Sequence, residues 1–295
     1  MPKILILGNS AAGFSCAKNL LQNNPDLEIT VATLENYPAY KRNLLPDYLS
    51  GAVSDKDIFL CGDDFYEKNG IKFLRNAKAS RIDTRKNTVA LKDNTKLSYD
   101  YLVIATGGKI KLPDIPGTNK DGVFSFYSLE DVKNIKQRLM LPGVVCVAGE
   151  PKSCAVISQI VAAKDKEVKV ISVAPPQGFI PSDKIEWIDS LNLTEIIGDG
   201  LELKAVKLSN GKAIGVSLVL FCGNRVPSSE FLKESGIKTD QDYIALDDSL
   251  RTNIENIFAC GAVCGQRDWD VAAGAGVKVA QNIIQLLERG KIACQ

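Results

Sequence analysis

The sequence predicts an α/β protein built on parallel sheets. Two strand–turn–helix–strand runs predict it, one at the N-terminus and one starting near position 143. Two β-rich stretches support it, each closing on an aliphatic strand that stops at glycine. Parallel strands need a crossover, and a helix is the usual one.

In chain order, KILILG is a short aliphatic strand, SAAGFSCAKNLLQNN a helix with small residues on its first turn, and LEITVATLE a second strand. The turn Gly8-Asn9-Ser10-Ala11-Ala12-Gly13 follows the spacing G-x-G-x-x-G, with serine at the middle glycine. Small residues at a strand-to-helix turn let backbone N–H groups approach a phosphate, and serine preserves that approach if its φ stays negative. Alone, this turn leaves helix packing and nucleotide binding both open. KASRIDTRKNTVALKDNTKLSYDYLVIATGG alternates apolar and polar residues around a KDNT turn. GVVCVAGEPKSCAVISQIVAAKDKEVKVISVAPP repeats the strand–turn–helix–strand order, but its turn keeps only Gly149 of the three glycines. Glu150 brings negative charge to it, and the next strand ends in Ser172 and Val173 without a carboxylate for a ribose. LELKAVKLSNGKAIGVSLVLFCG is again β-rich around Ser209-Asn210-Gly211, and NIFACGAVCG leads through a glycine-rich turn into a C-terminal helix containing VAAGAGVKVA.

With 295 residues the chain has room for two domains. Its 36 basic and 35 acidic residues leave a formal net charge of +1, which points away from a nucleic-acid partner. The apolar run in MPKILILGNS is too short for a secretory signal, and no stretch has bilayer-spanning length. A soluble, cytoplasmic protein without a membrane partner is the expectation. The chain contains no histidine, which removes Ser–His and Cys–His nucleophile pairs and histidine-ligated metals. A bound cofactor is therefore expected to carry the chemistry, with no catalytic side chain and no metal.

Eight cysteines, Cys16, Cys61, Cys146, Cys154, Cys222, Cys260, Cys264 and Cys294, form no C-x-x-C pair. Most lie in apolar runs, where a free thiol packs as a small hydrophobe. The pair in CGAVCG raises a redox or metal role as the alternative, although a strand-turn is poor geometry for a bridge.

Several landmarks occur together and in order: Gly8–Gly13, YPAYKRNLLPDYLSG (37–51), YLVIATGG (101–108), VFSFYSLEDV (123–132), SNGKAIGVSLVLFCGNR (209–225) and RTNIENIFACGAV (251–263). On these, essentially the whole chain resembles the FAD- and NAD(P)-dependent pyridine nucleotide oxidoreductases, in the branch of the NADH:rubredoxin reductases and the flavin part of nitrite reductases. The resemblance implies two Rossmann-like domains of the glutathione-reductase type, the second inserted into the first. It places an FAD domain at 1–115 and 221–295 and an NAD(P)-like domain at 116–220. The chain ends soon after the last helix, so no C-terminal interface domain is expected.

The resemblance also implies site residues. Gly8, Ser10, Ala11, Ala12 and Gly13 would cradle the FAD pyrophosphate, Glu35 would meet the adenosine ribose, and Arg42 would lie near the FAD. Thr106 and Gly107 match the family's ATG turn, and Gly261 and Ala262 fall in the strand-turn that passes the ribityl group. Ala262 stands where the family has aspartate. The N-terminus of the last helix, around Ala272, would face the flavin ring. Gly149 is what remains of the NAD(P) turn, so weak nucleotide binding or none is expected, with NADH preferred over NADPH. Asn43 stands where relatives of the peroxidase and oxidase type carry a redox cysteine. The implied function is FAD-dependent electron transfer between NAD(P)H and a rubredoxin- or ferredoxin-like carrier. The alternatives are an electron-transfer subunit of a larger redox complex, or a flavin-binding regulatory protein.

Overall fold

The computed structural model describes residues 1–24 and 26–293. The chain forms two compact units, one of residues 1–41, 59–109 and 226–295, the other of residues 42–58 and 110–225. In chain order their main elements are β1 (Lys3–Leu7), α1 (Ala11–Asn23), β2 (Glu28–Ala32), α2 (Leu45–Ser50), β3 (Lys72–Leu74), β4 (Tyr101–Ile104), β5 (Val123–Ser125), α3 (Leu129–Arg138), β6 (Val145–Gly149), α4 (Pro151–Ala162), β7 (Val168–Ile171), β8 (Ile185–Ile188), β9 (Leu218–Cys222), β10 (Ile257–Ala259) and α5 (Trp269–Ala293).

The first unit holds a parallel sheet in the order β10-β4-β1-β2-β3. β1 is central because its four aliphatic residues Ile4–Leu7 are buried on both faces, as a parallel strand covered by helices requires. α1 and α5 cover one face, packing Cys16, Leu20, Val279 and Ile283 into a core with Ile4, Ile6 and Phe258. The other face meets a second core that includes Ile82, Val89 and Leu97, on the three-stranded antiparallel meander Ala79–Asp83, Thr88–Leu91, Lys96–Ser98. The turn of that meander is made at Asn94, whose φ of 67° is a left-handed value that asparagine tolerates.

The second unit repeats the plan. Its parallel sheet runs β8-β7-β6-β9-β5. Its meander is Leu193–Asp199, Glu202–Leu208 and Ala213–Gly215. α3 starts at a capping box in which the Ser128 hydroxyl accepts from Asp131 N–H and the Asp131 carboxylate accepts from Ser128 N–H. Both units thus have Rossmann-like sheets, and the second is inserted into the first, the α/β class the sequence predicts. The stretch 42–58, which the sequence reading kept with the first domain, is part of the second unit. No helix among the described residues is long and apolar enough to cross a membrane.

Candidate cofactor-binding site

In doubly wound sheets, ligands sit beyond the carboxyl ends of the parallel strands. At that end of β1 the chain makes a turn governed by close backbone approach. Gly8 has φ 108°, and a Cβ there would fall inside 3.0 Å of the Ala105 oxygen. A Cβ on Gly13 would strike the Gly8 oxygen just as closely. One on Gly261 (φ 84°) would touch the Ala12 side chain at 3.0 Å. These three glycines lock β1, the start of α1 and the end of β10 together.

Ser10 is the N-cap of α1, with φ −102°, and its side chain makes no capping hydrogen bond. Its negative φ meets the condition under which serine can replace glycine here. The first helical N–H bonded inside the helix is that of Phe14, which donates to the Ser10 oxygen at 2.9 Å. The amides of Ala11, Ala12 and Gly13 therefore have no helical acceptor, as in any first turn. They form an open, dipole-favoured anion position, so the residues present fit a pyrophosphate.

Asn9 and Tyr66 hold this turn from below. The Asn9 amide donates to the Tyr66 hydroxyl at 2.7 Å, and Ala39 N–H donates to the same oxygen at 3.1 Å. Both side chains are buried, and the Tyr66 ring stacks on Phe73. Burial, with Cys61 beside it, pushes the Tyr66 hydroxyl well above its usual range, so it stays protonated. Nothing in the sequence singled out this pair, because it is brought together only by the tertiary fold.

Glu35 lies just past β2, with its carboxylate accepting from the Tyr40 hydroxyl at 2.6 Å. Thr106 and Gly107 follow β4. The Thr106 hydroxyl donates to the Ser228 oxygen at 2.9 Å, and the Gly107 oxygen accepts from Ser228 N–H at 3.0 Å. The Gly261 N–H donates to the Gln266 side chain at 2.7 Å, and Ala262 begins a short 3₁₀ turn, half-buried. Arg42 is not in this unit. It belongs to the second, where its guanidinium lies 4.6 Å from the Tyr127 ring centroid and donates to the Tyr127 oxygen at 2.6 Å.

Ala272 requires a correction. The last helix starts at Trp269, and Asp268 caps it, accepting from Asp270 and Val271 N–H at 2.9 and 3.2 Å. Ala272 N–H is already bonded to the Asp268 oxygen, and Ala272 is buried. The helix therefore begins about one turn before Ala272, at an aspartate, a residue type favoured at N-caps.

The second unit's corresponding turn is closed. Gly149 (φ 136°) repeats the role of Gly8, since a Cβ there would fall inside 3.0 Å of the Cys222 oxygen. The Glu150 carboxylate, however, accepts from Lys152 N–H at 3.0 Å and from Ser153 N–H at 2.9 Å. Burial acts to raise its pKa, but the bonds from Ser153 and Lys152 outweigh that and hold it below the usual carboxylate range. The Ser172 hydroxyl turns inward and donates to the Gly149 oxygen at 2.6 Å.

The described thiols are unbridged, and five of the seven are buried. Cys16 and Cys260 are buried in the core beneath α1, and burial pushes Cys260 up to about 12. Burial, and Cys260 nearby, push Cys264 up as well. Cys146, Cys154 and Cys222 are buried in the second unit, and Cys61 is half-buried against Tyr66. Cys294 lies outside the described residues.

The model of the pyridine nucleotide-disulphide oxidoreductase family matches residues 2–175 and 178–283. The chain belongs to that family. A NADH-rubredoxin oxidoreductase of Clostridium acetobutylicum is 32% identical over 270 residues, 88% of this chain and 68% of that one. A NADH oxidase of Methanocaldococcus jannaschii is 27% identical over 281 residues, 88% of this chain but only 62% of its relative's length. Among solved structures, the NADH:rubredoxin oxidoreductase from Clostridium acetobutylicum superposes with a TM-score of 0.76 at 26% identity, over 95% of this chain and 74% of that one. The family resemblance read from the motifs is thereby established.

Proposed function

We propose that this protein is an FAD-dependent oxidoreductase that exchanges electrons with a small one-electron carrier protein of the rubredoxin or ferredoxin kind, and draws only weakly on NADH. The observation that carries the reading is the open first turn of α1, backed by Gly8, Gly13 and Gly261, in a chain of this family. There Ala11, Ala12 and Gly13 would offer amides to a pyrophosphate, with Ser10 lining the approach. Glu35, fixed by Tyr40, would accept from a ribose hydroxyl. Thr106, Gly107, Gly261 and Ala262 line the ends of β4 and β10, the remaining edge of the same strand ends. A flavin there supplies the hydride and single-electron chemistry that no side chain of this chain provides.

The protein's own residues keep thiol chemistry out of the reaction. Cys260 and Cys264 are held as neutral thiols, and Asn43 occupies the place where thiol-using relatives carry a cysteine. The relative at 32% identity, named for NADH and rubredoxin, supports the carrier-protein reading. Glu150 favours a second reading, in which the protein is an electron-transfer subunit loaded by a protein donor rather than by NADH.

The test is the visible spectrum of the purified protein, followed by anaerobic reduction with NADH and with a reduced carrier protein. A yellow protein that releases FAD and is reduced readily by the carrier supports the proposal. A colourless protein that cannot be reconstituted with excess FAD refutes it.

A further inference from the structure

The two units carry the same strand–turn–helix device in two opposite states. In the first, the N-cap Ser10 leaves the helix amides open. In the second, the N-cap Glu150 folds its own carboxylate onto the helix end. We infer that Glu150 is an internal anion that keeps the pyrophosphate position of the second unit closed, and so is the residue that sets this unit's selectivity against nicotinamide dinucleotides. This deepens the proposed function and rests on it for the role of the second unit.

The backbone donors of this turn are all committed. Of the first three helical positions, Pro151 has no N–H, and Lys152 and Ser153 both donate to Glu150. The Ser153 hydroxyl also donates to Glu150 Oε2 at 2.8 Å, which leaves the exposed Lys152 side chain as the other polar group of that turn. The residue is also fixed at its base. Glu150 N–H donates to the Cys222 oxygen at 2.9 Å, and the Glu150 Cβ fills the space where a side chain on Gly223 would otherwise lie. Swinging the carboxylate aside would strand two amides and a hydroxyl at once.

The rest of the turn agrees. The turn is also one residue shorter than the first, since Glu150 follows Gly149 directly whereas Asn9 stands between Gly8 and Ser10. Ser172, at the end of β7, spends its hydroxyl on the Gly149 oxygen and offers no carboxylate to a ribose. A dinucleotide entering here would bring its phosphates against Glu150 and find no free amide.

The experiment is calorimetric titration of the flavin-loaded protein with NADH and NAD⁺, for wild type, Glu150→Ser and Glu150→Gln. Glu150→Ser removes the carboxylate and keeps a good N-cap residue; Glu150→Gln keeps the shape and removes the charge. The wild type is expected to show no saturation below millimolar nucleotide. Glu150→Ser is expected to tighten binding at least tenfold and Glu150→Gln by less. Thermal unfolding confirms that the variants are folded. Micromolar wild-type affinity, or an unchanged Kd in both variants, would overturn the inference. Flavin content, read separately from the visible spectrum, tests the proposed function independently of this titration.

Discussion

Gly274 and Gly276 stand two residues apart in α5 and make opposite predictions for the same substitution. Alanine is a better helix former than glycine by about 1 kcal/mol, so on propensity alone both replacements should stabilise. Around Gly274 there is nothing within 4 Å, and Gly274→Ala should realise most of that gain. A Cβ on Gly276 would instead lie within 3.0 Å of the Ala12 backbone oxygen, in the first turn of α1. No rotamer relieves a clash with backbone, so α1 and α5 must move apart. Overpacking of this kind costs about 1–3 kcal/mol, enough to cancel or reverse the propensity gain. At roughly 2–4 °C per kcal/mol for a chain of this size class, Gly274→Ala should raise Tm by about 2–4 °C, and Gly276→Ala should lower it by up to about 8 °C. Thermal unfolding followed by circular dichroism reads both. Since Ala12 lies in the turn proposed to hold the FAD pyrophosphate, Gly276→Ala should also weaken FAD retention, measured by fluorescence of released flavin. Equal increases in Tm for the two variants would refute the close-packing argument.

Three further outcomes follow from the site. Ala262→Asp should tighten FAD binding between a few-fold and a hundred-fold, since one recovered hydrogen bond is worth about 0.5–3 kcal/mol; an unchanged Kd would remove Ala262 from the cofactor contacts. With its pKa near 12, native Cys260 should resist iodoacetamide at pH 8, where roughly one thiol in ten thousand is ionised, and the Cys260→Ala/Cys264→Ala double variant should keep electron transfer within a few-fold. Rapid native alkylation, or loss of two titratable electrons in the double variant, would count against a packing role. The Glu150 carboxyl is depressed in the folded state, so its cap contributes fully above the ordinary glutamate range and is lost as pH falls through the folded value. The stability gap between wild type and Glu150→Ala should be about 1 kcal/mol at pH 7 and shrink as pH falls below about 4.5; a gap that grows on acidification would contradict the capping geometry.

The parts of this molecule that were legible in the sequence are those fixed by neighbours in the chain. KILILG and VVCVAG announce central strands because a strand buried on both faces must be aliphatic throughout, and a glycine marks where each must turn sharply. The meander turns were equally local, with Asn94 and Gly211 both at positive φ. What escaped reading depends on residues far apart in the chain. Gly276 looks like a helix weakness until Ala12 is found against it, and Tyr66 looks like any core aromatic until Asn9 and Ala39 are found bonded to it. Arg42 is a further case, since its guanidinium lies over the Tyr127 ring, a partner 85 residues away in the chain. Glu150 is the most instructive case because its partners are local, two and three residues ahead. The sequence showed only a charge that would repel phosphate. The fold shows why that charge is tolerated at a helix start: the amides that would have bound the phosphate are already bound to Glu150. A carboxylate at the N-cap thus occupies the helix end in the second unit that Ser10 leaves unbonded in the first, while the βαβ architecture around it is kept.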